Sequence, residues 1–399
     1  MTRDGTISLG AATALAFSSI IGAGVLFVPG EIRATVNDLD VMVFGAGFLL
    51  AIATCSVISS LCFSVAGKGN NLPEIISGGL AWIDASFVPG LLSLALLLGL
   101  PVAAIYAADV IGLLIPRLAG KTTWVALVLL AGALAVNLMN TRASVMVQTL
   151  IVAAMAFSVL LLLPYLDVQL SPARPLPSLS NLGTALLMGV LAFAGLENMP
   201  AIAAKFRHGR RMFFLAMVGG SAMALLVYLV VLLVIRSSVG IEPSGGVGWL
   251  AAPGENPALM TVASFLMVLA VIGNLITWNI GMTETWTHLI GRSDMHARLR
   301  IQLLTGAGYT AIIALIHAGV LDLHHAVAQA GAIFGMIYIL LAASCLSHSP
   351  SFGLKITAAS ILVLMAIIII LTPAYVILPS AVLAVASFSM KFKSSKEPK

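Results

Sequence analysis

The sequence predicts an all-α polytopic membrane protein with about twelve transmembrane helices. Three observations predict it. Of the 399 residues, 60% are hydrophobic and only 9% are charged. The mean hydropathy is +1.09. The apolar residues also fall into runs near the roughly 20 residues a helix needs to cross a bilayer. A soluble domain carries about 25% charged residues, so too few are present here to build a water-facing surface.

Taken in order, the runs cover residues 8–29, 41–66, 88–115, 123–139, 145–165, 182–204, 212–235, 257–288, 301–318, 326–347, 352–371 and 373–390. The last two are separated only by LTPAY. The third run has an alternative earlier start, because LPEIISGGLAWIDASF (72–87) before it is amphipathic and suits a place at the membrane interface. A cleavable signal peptide is not expected, because the first run is long, lacks a convincing cleavage site and is followed by many more spans.

Lysine and arginine placement sets the orientation. With the N-terminus inside and twelve spans, 15 of the 20 basic residues fall on the cytoplasmic side and 5 outside. Both termini are therefore expected in the cytoplasm, and the bacterial inner (plasma) membrane is the expected location. The formal charge of +5 comes largely from KFRHGRR (205–211), GRSDMHARLR (291–300) and KFKSSKEPK (391–399). These are inner-face loops and a tail, where contact with anionic membrane lipid accounts for them. No nucleic-acid-binding module accompanies the charge, so no nucleic-acid partner is expected. No obligate protein partner is implied either.

Cys55, Cys62 and Cys345 form no CxxC and no cysteine–histidine cluster at metal spacing, which leaves them as small buried apolar residues. A membrane-embedded enzyme would need a nucleophile with its base, or a metal cluster. HExxH, GxSxG and paired intramembrane aspartates are all missing from the sequence. The chain therefore reads as a non-enzyme, with no cofactor and no metal site.

The first and sixth spans carry the functional signal. SSIIGAGVLFVPG (18–30) places Gly22 and Gly24 inside the first span, where glycine loosens a helix. TALLMGVLAFAGLENMPAIAAKF (184–206) is broken likewise at Ala194 and Gly195, followed by Glu197 and Pro200. Small residues also let membrane helices pack closely, and for the first span alone packing is the better account. The matched break five spans later, with an ionisable residue beside it, favours a site. Interrupted spans at matching places in two halves are the best sequence pointer to a transporter binding site.

Unwinding a helix at the midplane frees backbone groups that cannot face lipid unsatisfied. Around Gly24 the outer half of the span would offer N–H groups to a carboxylate. Carbonyls from Ser18 to Ile21 would accept hydrogen bonds from an ammonium group. A zwitterion fits both ends.

SSIIGAGVLFVPG resembles the first-span signature of the amino-acid/polyamine/organocation transporter superfamily, and LAFAGLEN (191–198) resembles its sixth-span signature. LGLP (98–101), NTRASVMVQTLI (140–151), TWNIGMTETW (277–286) and AGAIFGMIYIL (330–340) are similar to the neutral amino-acid exporter branch, which handles methionine and branched-chain amino acids. The resemblance implies a LeuT-type 5+5 inverted repeat with two additional C-terminal helices, and secondary transport of amino acids by alternating access.

The chain then reads as one integral membrane unit over 1–399, with 8–165 and 182–347 as the repeats, 352–390 as the added helices and 391–399 as a basic cytoplasmic tail. It departs from the family at GKGNNLPEIISGG (67–79), at KFRHGRR after span 6, and at Leu191, where some relatives carry a gating tryptophan.

The expected substrate-binding residues are Ser18, Ser19, Ile20, Gly22, Ala23, Gly24, Phe193, Ala194, Gly195 and Leu196 at the breaks, with Trp278 and Asn279 of span 8. Besides Glu197, no acidic residue lies between the breaks to receive a cationic side chain. A neutral, apolar amino acid fits: methionine, leucine, isoleucine or valine. Apolar pockets separate such side chains poorly, so broad specificity is expected.

Glu197 is the candidate for proton coupling, which the matching family glutamate also implies. A carboxyl group inside a span is costly when charged and unpaired, and it can take up and release a proton during a cycle. Its alternative is a neutral acid that holds spans together. The coupling ion is expected to be H+. Thr277, Thr283 and Thr285 keep a Na+ site open, since their hydroxyls could join span 1 carbonyls. Export by antiport follows the branch resemblance. The alternatives are an uptake symporter on the same fold, a non-transporting sensor or a channel.

Among other polar residues, Asp109 is expected to be solvated at the outer interface. Glu284 and His288, one turn apart towards the inner end of span 8, are expected to pair locally, with a proton path as the alternative. Trp278 either closes over a substrate or packs on neighbouring helices. His324 and His325, adjacent near the outer loop, do not make a metal site by themselves.

Overall fold

A computed structural model describes residues 8–22, 24–63, 71–80, 82–84, 86–138, 153–165, 175–205, 209–237, 246–251, 257–291, 294–349 and 351–389. The described chain is built from α1 (Leu9–Ile21), α2 (Gly24–Val36), α3 (Asp40–Phe63), α4 (Leu72–Gly79), α5 (Phe87–Leu114), α6 (Thr122–Asn137) and α7 (Ala153–Leu162). They are followed by α8 (Leu179–Ala192), α9 (Gly209–Ser237), α10 (Pro257–Ile290), α11 (Met295–His317), α12 (Leu323–His348), α13 (Phe352–Leu371) and α14 (Ala374–Ser389). A 3₁₀ stretch, Leu196–Lys205, continues α8.

Local chemistry sets many helix starts. Ser8, Asn71, Ser178, Asp294 and Asp322 each precede a helix and accept a hydrogen bond from the backbone N–H three residues on. Such caps satisfy one of the four N–H groups a helix leaves open at its start.

Among the described residues, eight helical stretches are long and apolar enough to cross a membrane, and Leu9–Ile21, Thr122–Asn137 and Ala153–Leu162 are shorter apolar helices. The outer surface is apolar too: Trp124, Leu304 and Ile370 are 71%, 75% and 80% exposed. That surface belongs against lipid.

The packing is reciprocal. The two pieces of the first span, α1 and α2, both pack on α9, while the two pieces of the sixth, α8 and the 3₁₀ stretch, both pack on α3. So the first span of each half lies on the second span of the other. α2 also lies along α8, which brings the breaks together, and α5 runs centrally against α6, α10, α11 and α12. Close approaches hold this arrangement. A methyl group at Gly220 would overlap the Ala16–Phe17 backbone of α1, and one at Gly331 would overlap the Leu187 carbonyl of α8.

Two expectations change. The first span does not end at residue 29, because α2 runs to Val36 with Glu31 and Arg33 only 5% and 4% exposed. Both charges are partnered inside the protein, which an apolar run cannot reveal. Arg33 meets Asp38 at 2.8 Å and Asp40 at 3.1 Å, and Arg236 from the end of α9 pairs with the same Asp40. The second change is α4. Its amphipathic face does not lie on lipid: Leu72, Ile75 and Ile76 are buried, and the helix packs on α12 and α5. Of the expected fifth span, only 153–165 falls within the described residues, and the tail at 391–399 lies outside them.

Candidate functional site

The first span breaks where expected. α1 stops at Ile21 and α2 begins at Gly24, with Gly22 at φ −22° and ψ −112° between them. Ala23 lies outside the described residues. Ending there leaves the carbonyls of Ser18 to Ile21 and the N–H groups of Gly24 to Phe27 without partners in their own helices.

The sixth span breaks opposite it. α8 ends at Ala192, Phe193 to Gly195 turn, and the 3₁₀ stretch follows from Leu196. Gly195 has φ +129°, a region open to glycine, and a β-carbon there would also collide with the Ser19–Ile20 backbone. Glycine is required on both counts.

Side chains tie the breaks together. The Ser19 hydroxyl donates to the Gly195 carbonyl at 2.7 Å, and Asn198 Nδ2 donates to Ser19 Oγ at 3.2 Å. The Tyr228 hydroxyl, on α9, donates to the Ala192 carbonyl at 2.8 Å. A β-carbon on Gly24 would sit 3.0 Å from that hydroxyl oxygen. Over Gly22 lies the Asn274 side-chain amide of α10, occupying the space a β-carbon would need. Phe193 is buried in an aromatic cluster, 5.9 Å from Tyr228 and 6.0 Å from Phe48 between ring centroids.

Glu197 is 4% exposed. Its Oε1 accepts from the Gly195 N–H at 2.8 Å, so the carboxyl group is fixed to the break itself. Its Oε2 is buried without a hydrogen-bond partner, and so is the hydroxyl of Tyr338 on α12, a phenol that interacts electrostatically with this carboxyl group. One oxygen of the carboxyl group is held while the other is buried unpartnered.

The remaining expected residues divide. Ile20, Ala194 and Leu196 are buried at the breaks. The Ser18 hydroxyl donates to the Leu15 carbonyl at 2.9 Å and so turns back on its own helix. Trp278 packs edge-on against Phe334 at 6.0 Å. It also lines a small cavity of about 30 Å³ with the exposed Asn198, Thr285 and Trp286. Asn279 faces away from the breaks, with Nδ2 on the Leu275 carbonyl at 2.7 Å and Oδ1 accepting from Tyr309 at 2.8 Å. Thr277, Thr283 and Thr285 each donate to the carbonyl four residues earlier on α10.

The expected Glu284–His288 pair does not form. Glu284 meets Arg298 of α11 at 2.7 Å and His288 meets Glu74 of α4 at 3.4 Å, since both side chains project toward other helices. Asp109 accepts from Thr122 at 2.7 Å and lines a cavity with Glu31, Tyr106 and His324. Sequence reasoning missed Tyr228, Asn198 and Tyr338, whose importance comes from partners on distant helices. It also missed Glu31, which the end of the apolar run placed outside the span.

The sequence matches the amino acid permease family over residues 7–290. The chain belongs to that family. Among characterised protein sequences none matches the transporter significantly.

Among solved structures it is similar to two variants of the manganese transporter of Eremococcus coleocola. Each is 14% identical, with 96% of this chain and 94% of that one covered and a TM-score of 0.59. A third variant is 15% identical, with 95% and 92% covered and a TM-score of 0.58. At that identity the likeness shows the fold, a LeuT-like transporter architecture, and nothing about the cargo.

Proposed function

We propose that this transporter exports neutral apolar amino acids (methionine, leucine, isoleucine and valine) in exchange for protons, by alternating access. The substrate binds between the breaks of the first and sixth spans. Both termini lie in the cytoplasm, in a bacterial inner membrane, and the repeats are 8–165 and 182–347. The single observation that carries the reading is the meeting of the two breaks, stitched from Ser19 to Gly195 at 2.7 Å.

That junction combines the first N–H groups of α2, the last carbonyls of α1 and an apolar surround of Ile20, Ala194 and Leu196. A zwitterion with an apolar side chain matches all three. A manganese cargo matches less well: among the described residues no group of three His, Cys, Asp or Glu side chains could hold a metal ion. Protons are favoured over sodium by the carboxyl group of Glu197, fixed at the junction by the Gly195 N–H. Export rests on the exporter-branch resemblance of LGLP, TWNIGMTETW and AGAIFGMIYIL.

Counterflow in proteoliposomes tests the reading. Vesicles loaded with unlabelled methionine or leucine are expected to accumulate the labelled amino acid transiently. No stimulation by any neutral amino acid would overturn the substrate class. Ligand binding without flux would mean a sensor, and flux that never saturates would mean a channel.

A further inference from the structure

Far from the helix breaks, a second polar cluster joins three elements at the other end of α2. Glu31 is 5% exposed. Its Oε1 accepts from the Tyr106 hydroxyl of α5 at 2.5 Å, and its Oε2 contacts Nδ1 of His324 on α12 at 2.6 Å. The other ring nitrogen of His324 lies 3.5 Å from the hydroxyl of Thr35, one turn further along α2. Phe27 of α2 stacks on the Tyr106 ring with centroids 4.5 Å apart. α2 is thus held to both α5 and α12 through one carboxyl group.

The cluster forms the wall of a cavity of about 800 Å³. Asp109 of α5 and Asp322 at the start of α12 line the same cavity, as do Ala34 and the backbone of Gly246 to Gly248. The His324 side chain is 30% exposed while that of Glu31 is 7% exposed. The imidazole therefore stands between open space and a buried carboxylate.

We infer that the Glu31–His324 pair is a proton-binding site at the outer mouth of the transporter, and that the proton it takes up holds α2 against α5 and α12. The inference rests on the proposed orientation and proton coupling, and it adds a site separate from Glu197. The physics is direct. A neutral imidazole gives Glu31 one hydrogen bond, whereas an imidazolium gives it an ion pair in a buried setting, where charge attraction is screened least.

The titratable groups facing the pair are Tyr106 and Asp109 from α5 and Asp322 from α12, the end that also carries His325. The segment Gly246 to Gly248 contributes none. A proton arriving from outside would close the outer mouth, the order of events that antiport of a proton against an exported solute requires.

The test reads the position of α2 directly. In a background with Cys55, Cys62 and Cys345 replaced, Ala34→Cys places a thiol on the cavity wall. Its labelling by a membrane-impermeant maleimide is measured from pH 5.5 to 8.5. Each rate is divided by that of a separate reference variant, Leu176→Cys, at a position 83% exposed, which cancels thiol ionisation.

Relative labelling is expected to fall about fivefold or more as the outside is acidified, the span of an ordinary coupling energy. His324→Gln and Glu31→Gln are each expected to flatten the profile. Thermal unfolding reports whether each variant still folds. A pH profile unchanged in both variants, or flat in the parent, overturns the site. Methionine or leucine counterflow on the same samples reports the carrier reading separately: its absence in the parent would remove the transport assignment and leave the labelling result standing.

Discussion

Ser19 and Gly195 lie 176 residues apart in sequence, yet the hydroxyl of one donates to the carbonyl of the other at 2.7 Å. Asn198 closes on the same hydroxyl at 3.2 Å. One short network thus spans the breaks of both halves of the transporter, and it fixes their separation.

Removing the hydroxyl with Ser19→Ala should cost about 1 kcal/mol, the net value of one hydrogen bond. Gly195→Ala should cost more, about 1–3 kcal/mol from the backbone conformation alone. Its new methyl group would also push into the Ser19–Ile20 backbone. Thermal unfolding in detergent should rank the two, with Gly195→Ala lower. Counterflow should survive, with raised KM, in Ser19→Ala and be lost in Gly195→Ala. Equal behaviour of the two would mean that the turn at Gly195 tolerates a side chain.

Gly22 and Asn274 form a pair that a double-mutant cycle can isolate. A methyl group at Gly22 has no room while the Asn274 amide stands over it. Gly22→Ala should abolish substrate binding, and Asn274→Ala in the same chain should restore part of it, giving a coupling of about 1–3 kcal/mol. Independent, additive losses would show that the amide is not what excludes a side chain there. Gly24→Leu should likewise abolish binding in a folded protein, because the Tyr228 hydroxyl already closes that side. Wild-type affinity in Gly24→Leu would mean that the glycine serves packing alone.

Much of this was legible before the structure. Hydropathy located the spans because lipid demands long apolar runs, and the paired glycines located the two helix breaks because a span rarely gives up helix without reason. The parts that stayed hidden share one cause. Glu31, Arg33 and Asp40 look like a polar loop at the end of an apolar run, but Tyr106, His324 and Arg236 from remote helices bury and pair them. Asn279 sits beside Trp278 in a stretch that resembles relatives, yet Tyr309 turns it away from the breaks. Local pattern reports periodicity, and partners are set by which helix comes to lie opposite.

The corner between α2 and α3 yields a stability prediction. Asp40 is fully buried between Arg33 and Arg236. Its replacement in Asp40→Asn leaves two cations facing each other with a neutral amide between them. Breaking a buried pair by removing one partner costs about 3–5 kcal/mol. Thermal unfolding should show a large loss, and Arg236→Gln should lose less, because Asp40 then keeps its pair with Arg33 at 3.1 Å. A larger loss in Arg236→Gln than in Asp40→Asn would contradict this order.

Glu197 separates coupling from carriage. One carboxyl oxygen accepts from the Gly195 N–H at 2.8 Å, and a glutamine can keep that bond through its amide oxygen. The other oxygen is buried without a hydrogen-bond partner, so it is where a proton can come and go, and an amide cannot perform that exchange. Glu197→Gln should therefore retain counterflow of methionine or leucine, with KM within about threefold of wild type because the break stays intact. Net flux driven by a pH gradient should vanish. Glu197→Ala, which also loses the bond to Gly195, should lose exchange as well. If Glu197→Gln still moves substrate in response to the gradient, the proton travels by another group, and Glu31 with His324 becomes the first place to look.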